Sequence, residues 1–344
     1  MKTAFITGVS GQDGSYLTDL LLRKGYVVHG VVRRSSNIDR PRLDHITSDL
    51  RMHDRQFFLH YCDLEDTTNL RRIILHAHPD EIYHFAGQSH VGLSFETPES
   101  TCDFTAMGTL RLLEIIRDLD PSPRFLNMGS SEIFGRPAVS PQDETTPVAP
   151  VSPYGVAKAF AVQMTKVYRE SFHLFACSAI CYNHESERRS PAFVTRKIAR
   201  AVAEIRRFPE AKLRLGRLDT TRDWGYAPEY VEAMWRIMQL NEPTDVVLAT
   251  GRPTSVAEFL SYAFEHAGLD WKAHVLTDDR LIRPAEPLSL VGDPSKAERL
   301  LDWRAKTTAR DLARLMVDAE LKGQAGMLAE GDRLVTVVGE DVGA

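Results

Sequence analysis

The 344 residues suffice for one large or two modest domains around a well-buried core. With 43% hydrophobic and 26% charged residues, and 42 Lys plus Arg against 47 Asp plus Glu for a formal net charge of −5, the composition is that of an ordinary globular protein. That balance supplies no global field for nucleic acid or an anionic membrane, so an anionic ligand must be held by local basic groups.

No run has the length of a membrane span. Residues 1–7 lack the apolar core of a signal peptide and lead straight into a glycine motif. A cytoplasmic protein is expected, with neither a membrane nor a nucleic-acid partner. The cysteines, Cys62, Cys102, Cys177 and Cys181, match no zinc or redox spacing. They are expected to be buried thiols, and no metal is called for.

Residues 3–7 read as a strand and 15–24 as a helix with apolar positions at helical spacing. Strands are expected at 27–32 and 57–61, then a helix at 67–77 and a strand at 81–85. A helix at 105–118 and a strand at 124–128 follow, then a long helix at 156–172 and a strand at 175–180. This alternation implies parallel βαβ units in an α/β fold, a Rossmann-type doubly wound parallel sheet. Beyond 183 the pattern loosens into basic, turn-rich segments, as in a smaller C-terminal substrate-binding lobe. The expected organisation is 1–182 for dinucleotide binding and 183–322 mainly for substrate, with some segments returning to the first domain. Residues 323–344 form a tail of no assigned role.

Thr7-Gly8-Val9-Ser10-Gly11-Gln12-Asp13-Gly14 lies between the first strand and the first helix. Glycines at 8, 11 and 14 permit a tight turn, a close approach to pyrophosphate and tight helix–strand packing. The phosphates would sit at the helix N-terminus, where free amides and the macrodipole attract anions. Where an NAD enzyme places an acid for the ribose hydroxyls, this chain has Arg33-Arg34-Ser35-Ser36. Guanidinium and hydroxyl donors suit a 2′-phosphate, which favours NADP. Asp63-Leu64 would flank the adenine, and Phe85-Ala86-Gly87-Gln88-Ser89 would pass beneath the ribose and nicotinamide.

Tyr154-Gly155-Val156-Ala157-Lys158 carries the strongest chemical signal. Positions four apart share a helix face, so the Lys158 ammonium can lie beside the Tyr154 hydroxyl and, with an oxidised nicotinamide, lower its pKa. Ser130-Ser131-Glu132 falls at the carboxyl edge of the expected sheet, where ligands bind in such folds. Ser130 can hydrogen-bond a substrate hydroxyl shared with Tyr154. Glu132 suits removal of a proton made acidic by an adjacent ketone, followed by protonation of a leaving hydroxyl.

With these residues assembled, the chain resembles the GDP-mannose 4,6-dehydratases, extended short-chain dehydrogenase/reductases, from residue 1 to about 320. The segments that carry the likeness include 7–17, Gln88-Ser89-His90-Val91, Asn183-His184-Glu185-Ser186, Phe193-Val194-Thr195-Arg196-Lys197, Arg222-Asp223-Trp224-Gly225 and Arg283-Pro284-Ala285-Glu286. The resemblance implies a redox-neutral lyase reaction. Tyr154 takes the sugar O4 proton while C4 gives hydride to NADP⁺. Glu132 removes the C5 proton and helps expel the C6 hydroxyl as water, and hydride returns to C6. By motif, His184 and Arg189 would contact the cofactor, together with Tyr154 and Lys158. Asn183, Lys197, Arg222, Arg283 and Glu286 would hold the nucleotide sugar with Ser89, Ser130 and Glu132. The loop at 33–40 reaches a neighbouring subunit in this family, which implies a homodimer or homotetramer.

The chain departs from the family at several positions: Ser130 for Thr, Phe134 for Tyr, Ser100 for Tyr and Cys62 for Gly. Glu187-Arg188-Arg189-Ser190-Pro191-Ala192 stands where Pro-Arg-Arg-Gly is expected. GDP-mannose is the implied substrate, with a GDP-heptose or another related GDP-sugar as the alternative. A reductase of this fold would not need Glu132, an epimerase would need a second acid or base, and a non-catalytic relative would have lost Tyr154 or Lys158.

Overall fold

The computed structural model describes residues 1–33, 40–282, 285, 287 and 289–329, the side chains of 324–329 excepted. Its first half runs β1 (Thr3–Thr7), α1 (Gln12–Arg23), β2 (Val27–Val32), α2 (Asp44–Thr47), β3 (Phe57–Tyr61), α3 (Thr67–Ala77), β4 (Glu81–His84), α4 (Leu93–Glu96), α5 (Pro98–Cys102), a π turn (Asp103–Met107), α6 (Gly108–Arg117), β5 (Arg124–Ser130) and α7 (Pro153–Phe172). There follow β6 (Ala176–Cys181), β7 (Asn183–Glu185), α8 (Val194–Arg207), β8 (Leu213–Leu215), β9 (Thr221–Tyr226), α9 (Ala227–Ile237), β10 (Val246–Leu248), β11 (Pro253–Ser255), α10 (Val256–His266), β12 (Val275–Thr277), β13 (Ser289–Leu290), α11 (Ser295–Leu301) and α12 (Ala309–Ala329).

Seven parallel strands form one sheet in the order β10-β6-β5-β4-β1-β2-β3. The chain enters at β1, winds outward to β3, then crosses to β4 and winds the other way. The switch point therefore lies between β1 and β4, where such sheets open a crevice at their carboxyl ends. Because every strand is parallel, the segments after β1, β4, β5 and β6 all emerge on that one edge.

Helices cover both faces, which is why apolar residues point to both sides of the strands. Ala4 and Ile6 of β1 pack on the side of Leu17, Leu21, Tyr230 and Met234. Phe5, pointing the other way, meets Ile74, Leu112, Ile116 and Tyr168. A smaller lobe is built on β9, which pairs with β7, β11 and β13, and on the parallel pair β8–β12. Its core gathers Ile198, Val202, Phe259, Phe264, Met316 and Val317.

Several expected boundaries move. The first helix starts at Gln12, so its first turn lies inside the glycine motif. The strand expected to stop at 128 continues through Ser130 because its register partner β6 runs to Cys181. The helix expected at 105–118 is an α helix only from Gly108, with a π turn before it. Residues 246–248 return to the main sheet as its edge strand β10. The helix α12 runs across the expected boundary at 323, buried along Leu312, Ala313, Met316 and Val317. Residues 330–344 of that tail lie outside the described residues.

Candidate active site

The turn after β1 is shaped by close backbone approach. Gly8 has φ +70°, and a side-chain carbon there would come within 2.7 Å of Ala86 N in the loop after β4. One at Gly14 would come within 2.4 Å of Gly8 O. Gly11 is the N-cap of α1 and has no side chain with which to cap it, so the first amides remain open to an external anion. The Ser10 carbonyl accepts from Arg42 at 3.2 Å. Arg42 was not singled out from sequence; its place just beyond the basic stretch at 33–40 was the available signal.

The side chains of Gln12 and Asp13 are engaged with β7. Gln12 Nε2 donates to His184 O (3.1 Å) and to Asp13 Oδ1 (3.1 Å), and Ser186 Oγ donates to Gln12 Oε1 (2.8 Å). His184 Nε2 lies 3.0 Å from Asp13 Oδ1, and its Nδ1 lies 2.7 Å from Tyr182 O. Burial disfavours charge on both partners, but their attraction and hydrogen bond prevail: the Asp13 carboxyl is held below its ordinary range and the His184 imidazole above its own. The glycine turn and the Asn-His-Glu-Ser segment are thus one bonded unit.

Other expected cofactor positions line the same edge. Ala86 N donates to Thr7 Oγ1 at 3.3 Å, beside the half-buried Phe85. Gln88 folds back on His90 O at 2.9 Å, and Ser89 is exposed. After β3, Leu64 is buried, and Asp63 Oδ1 is a buried acceptor with no hydrogen-bond partner. Arg33, directly after β2, lies 5.2 Å over the Phe104 ring. Arg34 and Ser35 lie outside the described residues, as do Arg283 and Glu286. Open amides at the turn, a buried acceptor after β3 and a cation after β2 fit the pyrophosphate, adenine and ribose of a dinucleotide.

The catalytic candidates meet at the ends of β5 and α7. Ser152 caps α7 by accepting from Gly155 N (3.0 Å), with Pro153 in the first turn, so Tyr154 sits at the helix mouth and Lys158 one turn deeper. Both are buried. Tyr154 hydrogen-bonds Ser130, whose Oγ also accepts from Glu132 N at 3.3 Å. Glu132, half-buried in the short 3-10 turn after β5, has its carboxylate within electrostatic reach of the phenol.

Several groups act on the Tyr154 hydroxyl. Burial dominates and pushes the phenol up to about 12; the Ser130 hydrogen bond and the Arg189 charge pull it down, while Glu132 and Cys181 raise it. Lys158 instead donates to Met128 O at 2.6 Å, stands 5.9 Å from the Tyr154 ring centre, and is itself lowered to about 8 by burial.

Among the substrate-lobe candidates, Arg189 pairs with Glu185 at 2.9 Å and stacks 3.6 Å over Phe193. Asn183 is half-buried at the head of β7. Arg222 is buried in β9 and donates to Thr221 O (2.9 Å) and Pro287 O (3.0 Å). Lys197 is exposed on the first turn of α8, and no hydrogen bond among the described residues ties it or Ser89 to the Tyr154 group. One structural role was missed from sequence. Asp223 is a buried bracket that accepts from Thr250 N (2.8 Å), Thr250 Oγ1 (2.7 Å), Gly251 N (2.9 Å) and Gly292 N (3.3 Å).

The family model described as GDP-mannose 4,6 dehydratase matches residues 5–316. The chain belongs to the GDP-mannose 4,6-dehydratase family. GDP-mannose 4,6 dehydratase 1 of Arabidopsis thaliana is 48% identical over 326 residues, 93% of this chain and 90% of that protein. The dTDP-glucose 4,6-dehydratase of Streptomyces venezuelae, solved with NAD, superposes with a TM-score of 0.82 at 20% identity, covering 94% of this chain and 98% of that one. RMD of Pseudomonas aeruginosa, complexed with NADPH, gives 0.74 at 20% identity, covering 94% and 100%. At that distance the solved structures attest the fold.

Two of the departures from the family pattern have a structural account. Phe134 is buried against Tyr182, ring centres 6.4 Å apart, in a packing place where a hydroxyl has no evident use. Glu187 and Arg188 turn toward α1. Arg188 donates to Ser15 Oγ (3.1 Å), pairs with Asp19 (2.8 Å) and stacks 4.1 Å over Tyr16. Glu187, partly buried, lies beside the Tyr16 and Tyr226 hydroxyls.

Proposed function

We propose that this protein is a cytoplasmic, homo-oligomeric GDP-mannose 4,6-dehydratase that converts GDP-mannose to GDP-4-keto-6-deoxymannose with NADP. The observation that carries the reading is the grouping of a carboxylate, Glu132, with the hydrogen-bonded Ser130–Tyr154 pair at the carboxyl edge of the sheet. A simple alcohol dehydrogenase needs the hydroxyl pair alone; loss of water also needs an acid–base group.

The open amides of α1 would hold the pyrophosphate, Asp63 the adenine, and Arg33, Arg34 and Ser35 the 2′-phosphate that distinguishes NADP from NAD. When bound, NADP supplies a hydride acceptor and, once reduced, a hydride donor, and its oxidised form brings a positive charge that favours phenolate. Tyr154 takes the proton from the sugar O4, and Ser130 donates a hydrogen bond to the oxygen involved. Glu132 removes the C5 proton that the C4 ketone has made acidic, then delivers a proton to the departing C6 hydroxyl. Lys158, His184 and Arg189 supply positive charge around these anionic groups. Asn183, Lys197, Arg222, Arg283 and Glu286, with Ser89, would hold the nucleotide sugar. An apolar stripe on the outer face of α7, formed by the exposed Val156, Phe160 and Val167, supports assembly with a second copy.

Mass spectrometry of products, with absorbance followed at the NADPH wavelength, tests the reading. Incubation with GDP-mannose should give a product lighter by one water with no net accumulation or loss of NADPH. Steady NADPH oxidation would instead indicate a reductase, an isomer of unchanged mass an epimerase, and preferential turnover of a GDP-heptose a different sugar. Glu132→Gln should lower turnover about a thousandfold while still allowing the cofactor to be reduced.

A further inference from the structure

The last register pair before β1 and β4 part is Thr7 and His84, at the mouth of the switch-point crevice. Both side chains are buried, and so is Thr109 on α6 behind them. His84 Nδ1 lies 2.8 Å from Thr7 Oγ1, and its Nε2 lies 3.1 Å from Thr109 Oγ1. Each imidazole nitrogen thus has one hydroxyl as its partner.

Counting protons gives this chain a direction. Thr109 has one hydroxyl proton, and it goes to Thr105 O at 2.9 Å, because a carbonyl can only accept. Toward His84 the Thr109 oxygen therefore accepts, and the imidazole proton sits on Nε2. Burial first, and then the Lys158 charge, push His84 down to about 3, so the ring is neutral and Nδ1 is bare. Thr7 donates its own proton to Nδ1, which leaves its oxygen to accept from Ala86 N at 3.3 Å. The near end of the chain is where two loops of the crevice touch. A side-chain carbon on Gly8 would come within 2.7 Å of that same Ala86 N, and Phe85 N donates to Thr7 O at 3.2 Å. The hold on Ala86 is thus also a hold on the glycine turn.

We propose that His84 is a positioning residue for dinucleotide binding: with its proton on Nε2, it aims the Thr7 hydroxyl so that the Thr7 oxygen holds Ala86 N against the glycine turn. The role rests on the reading of that turn as the pyrophosphate site. It bears on cofactor affinity and not on the reacting sugar.

Thr109→Val removes the acceptor at Nε2 from behind the sheet, and Thr109→Ser keeps it. In the valine variant a proton on Nε2 would be buried without a partner, so the ring should carry it on Nδ1 and donate to Thr7 instead. The Thr7 hydroxyl then loses its acceptor and its fixed direction, and Ala86 is held less firmly. Isotope-edited NMR of the His84 ring at neutral pH reads the tautomer independently of activity. Protonated Nε2 is expected in the wild type and in Thr109→Ser, and protonated Nδ1 in Thr109→Val. Titration of the full chain with NADP should give a Kd about tenfold higher for the valine variant. Thr109→Ser should bind as the wild type does, and KM for GDP-mannose at saturating NADP should be unchanged in both. A wild-type ring protonated on Nδ1, a valine variant that binds NADP normally, or one whose KM for the sugar rises in step with Kd would overturn the proposal. Failure of the wild type to bind NADP is a separate result. It refutes the reading of the glycine turn and takes the role of His84 with it.

Discussion

Tyr154 and Ser130 are bonded because β5 ends and α7 begins at the same point of the sheet edge. Burial raises the phenol to about 12 and the Ser130 hydrogen bond opposes that rise, so the hydroxyl at 130 matters more than the methyl that distinguishes Ser from the Thr usual in this family. Ser130→Ala should therefore shift the acid limb of activity upward and lower kcat about a hundredfold at neutral pH. Ser130→Thr should leave the profile in place. Steady-state kinetics across pH checks both, and an alanine variant with an unmoved limb would remove Ser130 from the chemistry. Ser130, Glu132, Tyr154 and Lys158 were all picked out as candidates from spacing and order along the chain. The state of Lys158 was not, because a hydrogen bond to Met128 O, 30 residues away, cannot be inferred from a four-residue motif.

At the level of elements, β2 and β3 carry a pair of neighbouring histidines. His29 Nδ1 lies 2.9 Å from His60 Nε2 with the rings stacked, and His76 on α3 adds a like charge nearby. Burial first, then His60 and His76, lower His29 to about 4. An unfolded histidine titrates near pH ~6.5. Between those values the unfolded chain binds more protons, so this contribution to stability is complete above about pH 6.5 and is lost as pH falls toward 4. Unfolding free energies from urea titrations at pH 7 and pH 5 should differ by about 1–2 kcal/mol more in the wild type than in His29→Gln; equal differences would show that the pair does not titrate with folding. The π turn at Asp103–Met107 belongs to the same scale. Its sequence reads as plain helix because 3.6-residue periodicity survives one wide turn almost unchanged.

Across the whole molecule, one link between the main sheet and the sheet built on β9 passes through the glycine turn. Gln12 and Asp13 at the start of α1 grip His184 and Ser186, and β7 passes the register on to β9 and Arg222. Filling the cofactor crevice should therefore stiffen both lobes. Saturating NADP, at about a hundredfold over its Kd, should stabilise the fold by about 2.7 kcal/mol. If Arg33, Arg34 and Ser35 hold the 2′-phosphate as proposed, the same concentration of NAD should give a smaller rise in Tm. Equal shifts measured by differential scanning fluorimetry would argue against NADP selectivity.

By itself, the sequence determined the doubly wound sheet and the glycine turn, and it singled out Ser130, Glu132, Tyr154 and Lys158 as the candidate set, because those depend on local periodicity and on the order of motifs along the chain. Only the tertiary structure decided what each side chain has to offer. It engaged Asp13 with His184, made Asp223 a bracket for Thr250, Gly251 and Gly292, turned Glu187 toward Tyr16 and Tyr226, and tied Lys158 to Met128 O. The physical reason is that hydrogen bonding and desolvation act between groups far apart in sequence, and the fold alone sets which of them share a dry environment.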